Sequence, residues 1–187
     1  MIAPAGHGAV GSRFACAIAG KDRKVRCWGS NEDGELAQPD RDRRSGLVEL
    51  PYSGVRKISA DSSDACALLA DGAVACWGYH RRYDKETVAR AFTGARDISV
   101  ANETLCHVDS AGRGHCADLR RLRQEGVSVP VEKPLESVHA FNNAVCARAT
   151  DGTFSCFDMD RSSHAMTPIK DGDIPSVGGI ASIQGAC

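Results

Sequence analysis

The chain has 187 residues, enough for one domain with a sizeable core, and 42% of them are hydrophobic against 25% charged. Its formal net charge of −1 gives no electrostatic footprint for nucleic acid or an anionic membrane surface. No apolar run is long enough to cross a bilayer as a helix, and helical periodicity is hard to find.

In chain order, residues 1–15 are rich in glycine and alanine, with Val10 ahead of the first cysteine. Cys16 opens CAIAGKDRKVRCWG, two apolar arms around the turn Gly20-Lys21-Asp22-Arg23. Residues 30–51 form the longest connector. Its turn Asn31-Glu32-Asp33-Gly34-Glu35 leads to the apolar Leu36, then to a charge-dense piece with Arg41, Arg43 and Arg44. VRKISADSSDAC places Ile58 in a short strand that feeds the hairpin CALLADGAVACWG, from Cys66 to Gly78. Asp71-Gly72 is a strong hairpin turn signal, since Gly accepts φ > 0 and Asp tolerates it. Folding about it sets Cys66 opposite Cys76, Leu68 opposite Val74 and Leu69 opposite Ala73. Alternation then puts Cys66, Leu68, Val74 and Cys76 on one face.

The cycle recurs. Residues 79–94 carry Arg81, Arg82 and Lys85 beside Asp84 and Glu86; Ile98 and CHVDSAGRGHCAD from Cys106 follow. Residues 117–134 carry Arg120, Arg121 and Arg123, then Pro130 and Pro134, which suit an edge or a bend. Val138 precedes CARATDGTFSCFD from Cys146, and a loop-like stretch ends in GGIASIQGA before Cys187. First cysteines recur 50, 40, 40 and 41 residues apart, so Cys187 reads as the opening of a fifth copy. Ile58, Ile98 and Val138 each stand eight residues before a first cysteine, while Val10 is shifted. A short outer strand is expected in the polar segment after each hairpin. Short strands at regular spacing argue an all-β fold in a single domain, 1–187, with repeats at 8–50, 51–91, 92–132 and 133–175 and a partial one at 176–187.

An apolar strand, then C-A-L-L-A-D-G-x-V-x-C-W-G, then N-x-x-G-x-L resembles the repeat of the regulator of chromosome condensation family. Copy two carries the hairpin best; copy one alone keeps the following turn as Asn31, Gly34 and Leu36, with Glu35 and Ala37 replacing the usual Gln and Gly. Copies three and four have Ala117-Asp118 and Phe157-Asp158 in place of Trp-Gly. The resemblance implies a β-propeller of about four blades, and its cysteine-paired form resembles bacterial envelope or secreted members. The residues agree: Ala65, Ala67, Leu69 and Ala75 supply a small, apolar second face, as a blade packed on both sides requires.

The register favours a disulfide across each hairpin, Cys16–Cys27, Cys66–Cys76, Cys106–Cys116 and Cys146–Cys156, each contributing about 2–3 kcal/mol. Zinc and reduced, buried thiols are the rival readings. Cys187 is then left free or pairs between molecules. Cys106-His107 and His115-Cys116 have the residue types of a zinc site, but alternation sends cysteines and histidines to opposite faces. No phosphate loop, G-x-S-x-G or H-E-x-x-H occurs, so no catalytic residue, cofactor or metal is expected. Arg43, Arg44, Arg81, Arg82, Arg120, Arg121 and Arg123 follow successive hairpins. They form a rim that is either solvated or a partner contact, since acids are interleaved.

The expected function is therefore a non-catalytic protein-binding scaffold with an unnamed protein partner, and neither nucleic-acid binding nor membrane insertion. Alternatives implied by the resemblance are a guanine-nucleotide exchange factor for a small GTPase and a proteinaceous enzyme inhibitor. Repeated cysteine pairs place it outside the cytoplasm, in the envelope or secreted, although the opening residues carry no signal peptide. Four copies plus a fragment lead to the expectation of an incomplete ring. Its terminal blades would expose an apolar, alanine-rich face, to be covered by more repeats in a full-length protein, by self-association or by a partner's surface. Gly72→Val is expected to harm folding more than Gly112→Val, because Ala111-Gly112 belongs to a degenerate copy.

Overall fold

The computed structural model describes residues 8–79, 89–90, 92–121, 126–160 and 165–169. Among the described residues, sixteen short strands build four four-stranded antiparallel sheets. The first holds β1 (Gly8–Val10), β2 (Phe14–Ala19), β3 (Lys24–Gly29) and β4 (Arg44–Glu49). The second holds β5 (Lys57–Ala60), β6 (Asp64–Leu68), β7 (Val74–Gly78) and β8 (Ala89–Arg90). The third holds β9 (Asp97–Ala101), β10 (Thr104–Val108), β11 (Gly114–Asp118) and β12 (Val127–Ser128). The fourth holds β13 (Leu135–Phe141), β14 (Ala144–Ala149), β15 (Phe154–Met159) and β16 (Met166–Pro168). Each sheet runs in simple chain order, so strands that follow one another in sequence within a sheet are hydrogen-bonded neighbours. A 3-10 turn, Leu119–Arg121, follows β11. Among the described residues, no helix is long and apolar enough to cross a membrane.

The paired cysteines sit in one register throughout: Cys16 opposite Cys27, Cys66 opposite Cys76, Cys106 opposite Cys116, Cys146 opposite Cys156. All four pairs stand at bonding distance, with S–S separations of 2.05 to 2.11 Å and Cα–Cα of 4.0 to 4.1 Å. Leu68 faces Val74, and the Leu69 amide bonds the Ala73 carbonyl at 2.9 Å. The turn between them is a three-residue loop, with Gly72 at φ 79° and its amide on the Leu69 carbonyl at 3.0 Å. The outer strand that sequence leaves loosely placed is β4, β8, β12 or β16.

Ile58, Ile98 and Val138 lie on the inner strands opposite Ala67, His107 and Ala147, all three nearly or fully buried. The matching place in the first sheet is taken by Gly8, opposite Ala17, and not by Val10, which is 76% exposed. Inner strands pack in succession, β1 on β5, β5 on β9 and β9 on β13. The core lies between sheets. Cys16, Ile18, Val25 and Cys27 pack on Ala65, Ala67, Leu69 and Trp77. Cys66, Leu68, Val74 and Cys76 pack on Ile98, Leu105 and Ala117. Cys106, Val108 and Cys116 pack on Val138, Val145 and Ala147. The second and third sheets are therefore covered on both faces, which explains their lack of polar alternation.

Hydroxyl and carboxylate groups tie these junctions near the axis. Ser59 Oγ accepts the Val100 amide at 2.8 Å, Ser99 Oγ accepts the Ala140 amide at 2.9 Å, and Asp97 Oδ2 accepts the Val138 amide at 3.1 Å. These bonds satisfy inner-strand edges that have no further strand to pair with. The first junction is tied near the axis by the Ser12 amide on the Ser62 carbonyl at 3.0 Å, and on its outer side as well. Asn31, fully buried, holds the turn with Oδ1 on the Leu36 amide, and the Trp77 indole donates to the Glu35 carbonyl at 2.9 Å. The outer face of the first sheet is not the bare alanine surface expected. Trp28, Arg26 and Lys24 stand in register with Ala15, Ala17 and Ala19, and both cations bridge to Glu49. Cationic side chains of this length cover small residues with their stems. The tail from Ile180 to Cys187, on which the incomplete-ring expectation leans, lies outside the described residues.

Candidate functional site

One end of the inner strands gathers three turns that recur at the repeat spacing. Ala60 ends β5 and leads into Asp61 and Ser62, Val100 and Ala101 end β9 and lead into Asn102, and Ala140 and Phe141 end β13 and lead into Asn142. Together they line a cavity of ≈ 440 Å³ at the mouth of the axis. The tight two-residue turn Asn102-Glu103 has both residues at positive φ, 49° and 66°, and Asn142 has φ 29°. Asn adopts this region more readily than most residues, and paired positive φ matches the twist of the flanking strands.

The polar groups of the mouth bind one another. Asp61 Oδ1 accepts the amides of Ser63 at 3.1 Å and Asp64 at 2.9 Å, and Oδ2 accepts that of Glu103 at 3.1 Å. Asn102 Nδ2 donates to the Asn142 carbonyl at 2.9 Å and to Asn143 Oδ1 at 3.1 Å. The result is a cross-linked rim that joins the second, third and fourth sheets. It presents a fixed surface rather than a free acid or base.

The arginine connectors leave the sheets at this same end, because Gly29 pairs with Arg44 and Thr104 with Asp118. Arg120 pairs with Glu103 of the mouth and with Asp118 at 4.0 Å. Arg44 pairs with Asp40 at 2.6 Å and Asp42 at 3.6 Å, and Arg41 donates to the Glu32 carbonyl at 3.1 Å. Arg43 is exposed. Arg121 ends the 3-10 turn, and Arg81, Arg82 and Arg123 lie outside the described residues. Of the rim arginines, the structure brings Arg120 to the mouth, while Arg44 is held by acids of its own connector. Sequence reading missed the mouth itself; its trace is the short polar insert, ADSS, ANE and FNN, recurring between inner strand and cysteine strand.

The two histidines of the third sheet pair across β10 and β11 with ring centroids 5.3 Å apart and stacked, so their nitrogens do not converge. Phe92 stacks on His107 at 4.2 Å. His107 is 7% exposed, and its Nδ1 has no hydrogen-bond partner. Burial, with the neighbouring His115, pushes its pKa down to about 4, against a smaller opposing pull from Asp109. His115 Nε2 stands 3.4 Å from Asp109 Oδ2. Burial raises the Asp109 carboxyl, but the Arg113 amide and guanidinium outweigh it and hold the pKa at about 2. Among the described residues, no group of three or more His, Cys, Asp or Glu is placed to hold a metal ion.

Four antiparallel sheets packed face on face about their inner strands define a β-propeller-type repeat protein. Residues 7–35 match the regulator of chromosome condensation (RCC1) repeat. No curated protein sequence matches the chain. Among solved structures it is similar to human WBSCR16, with 11% identity and a TM-score of 0.69 over 87% of this chain and 52% of that one. It is similar to Prp20p from Saccharomyces cerevisiae, with 14% identity and a TM-score of 0.67 over 87% of this chain and 50% of that one. The computationally designed Ika4 protein matches at 12% identity and a TM-score of 0.56, over 82% of this chain and 89% of the designed one. The chain thus spans about half the length of the two natural proteins.

Proposed function

We propose that the protein is a non-catalytic binding scaffold, working in the cell envelope or outside the cell, whose protein partner docks on the axial mouth. The observation that carries this reading is the mouth itself: three turns cross-linked through Asp61 and Asn102 into one rigid, concave, polar surface. Preorganised turns lose little entropy on binding. Arg44 is paired with Asp40 and Asp42, and Arg120 with Asp118 and Glu103, which favours recognition by shape and hydrogen bonding over recognition by these two charges. Four cysteine pairs at bonding distance support an oxidising compartment.

A photo-activatable side chain placed at Ser62 or Asn142 should capture a protein partner in the native host. The same group at Lys21 or Asp151, in the hairpin turns at the other end, should not. Capture only from the hairpin end would contradict the reading. Guanine-nucleotide exchange is the second reading, supported by the match at residues 7–35 and by likeness to Prp20p, a protein studied for its binding to Gsp1p and histones. It requires accelerated nucleotide release from a small GTPase, which the scaffold reading does not.

A further inference from the structure

Each internal junction joins the same two kinds of face. The disulfide face of one sheet packs on the opposite face of the next, three times in succession. These junctions use neither the alanine face of the first sheet nor the disulfide face of the fourth. Trp28, on the first of these faces, is 39% exposed, whereas Trp77 in the same register of the second sheet is fully buried under the Glu35 turn. Phe154, on the other, is 50% exposed, whereas Val25 and Val74 at its register are fully buried.

The two faces are complementary in size. Gly8 stands where Ile58, Ile98 and Val138 fill the internal junctions, and a Cβ there would meet nothing closer than 3.6 Å. Arg148 and Phe154 stand where the first and second disulfide faces carry Ile18 and Val25, and Leu68 and Val74, and where the third carries Val108 and Gly114. The side with less bulk thus faces a side with more. They are complementary in charge as well. The alanine face has Lys24 and Arg26 against Glu49; the disulfide face has Glu136 and the exposed Asp158 against Arg148.

We propose that the alanine face of the first sheet receives the disulfide face of the fourth sheet of a second copy, twice over, closing a twofold ring of eight sheets. The contact is heterologous, so closure rather than open growth fixes the size. This assembly is independent of which partner the mouth takes.

Light scattering coupled to gel filtration of the full chain, across a concentration series, tests it. The wild type should show twice the chain mass. Ala17→Glu and Phe154→Asp should each show the chain mass alone, with wild-type circular dichroism. Mixed, the two variants should regain a dimer, because one junction then joins two intact faces. Should Ala17→Glu fail to fold, Phe154→Asp, at a half-exposed site, decides alone. A monomeric or larger wild type, a Phe154→Asp dimer, or folded variants that stay monomeric when mixed at every concentration would overturn the proposal.

Discussion

In the second sheet every residue of β6 and β7 is buried, while in the fourth β15 is exposed or half-buried at four of its six positions. Yet both hairpins pair their cysteines in the same register and turn on a glycine at φ 79° and 86°. Local sequence therefore sets the hairpin, and the neighbouring sheets set what each position is worth. The second sheet is sandwiched; the fourth has a packed neighbour on one face among the described residues. Identical chemistry placed in the two surroundings should cost different amounts, and that contrast can be measured.

The sharpest contrast lies between the two tryptophans, both in the sequence Cys-Trp-Gly. Trp77→Ala removes a fully buried ring and its bond to the Glu35 carbonyl, and should cost about 3–5 kcal/mol in denaturant unfolding. Trp28→Ala, at 39% exposure, should cost less than about 1 kcal/mol in the dilute monomer. Equal losses would break the comparison, since the second sheet would then owe nothing to being covered.

A second contrast is drawn by pH. His107 is buried and its pKa is pushed down to about 4, below the ordinary 6.5. The unfolded chain therefore binds a proton that the folded chain refuses. Stability is full above about pH 6.5 and falls as pH drops towards 4, by about 3 kcal/mol at most. His107→Leu should flatten that part of the profile of denaturant midpoint against pH. A slope unchanged in the variant would place the proton elsewhere.

The smallest effects separate three glycines in equivalent turns, Gly72, Gly112 and Gly152, at φ 79°, 81° and 86°. An alanine in the left-handed region costs about 1–2 kcal/mol at each. The rest depends on what the new Cβ meets. At Gly72 that is the backbone of Gly94 at 2.9 Å; at Gly112 it is Pro134 Cβ at 3.1 Å; at Gly152 nothing lies within 4 Å. Thermal midpoints should fall in that order, Gly72→Ala most and Gly152→Ala least. The turn of the third sheet is as well formed as that of the second, so turn quality does not set the ranking. An order with Gly152→Ala lowest would show that neighbours do not.

Register was legible in the residues because it depends on the chain alone: Asp71-Gly72 and the cysteine spacing place Cys66 opposite Cys76, as they stand. Ile58, Ile98 and Val138 were legible for the same reason, through eight-residue spacing. Gly8 was not, since a strand position with no side chain leaves no apolar mark, and Val10 drew attention in its place. The opposite fates of Trp28 and Trp77 were invisible, because both share one local motif and differ only in what precedes them in space. The mouth was missed on the same grounds. Asp61, Asn102 and Asn142 are ordinary turn residues until packing of β5, β9 and β13 brings their turns together.

Mapping the cysteine links by non-reducing peptide analysis, on protein isolated from its native host without reductant, tests the central claim most directly: a series of equivalent hairpins, each closed on itself. The account predicts Cys16–Cys27, Cys66–Cys76, Cys106–Cys116 and Cys146–Cys156, with no link between sheets. Eight free thiols would contradict the oxidising compartment, and a link from one sheet to another would contradict the repeat itself.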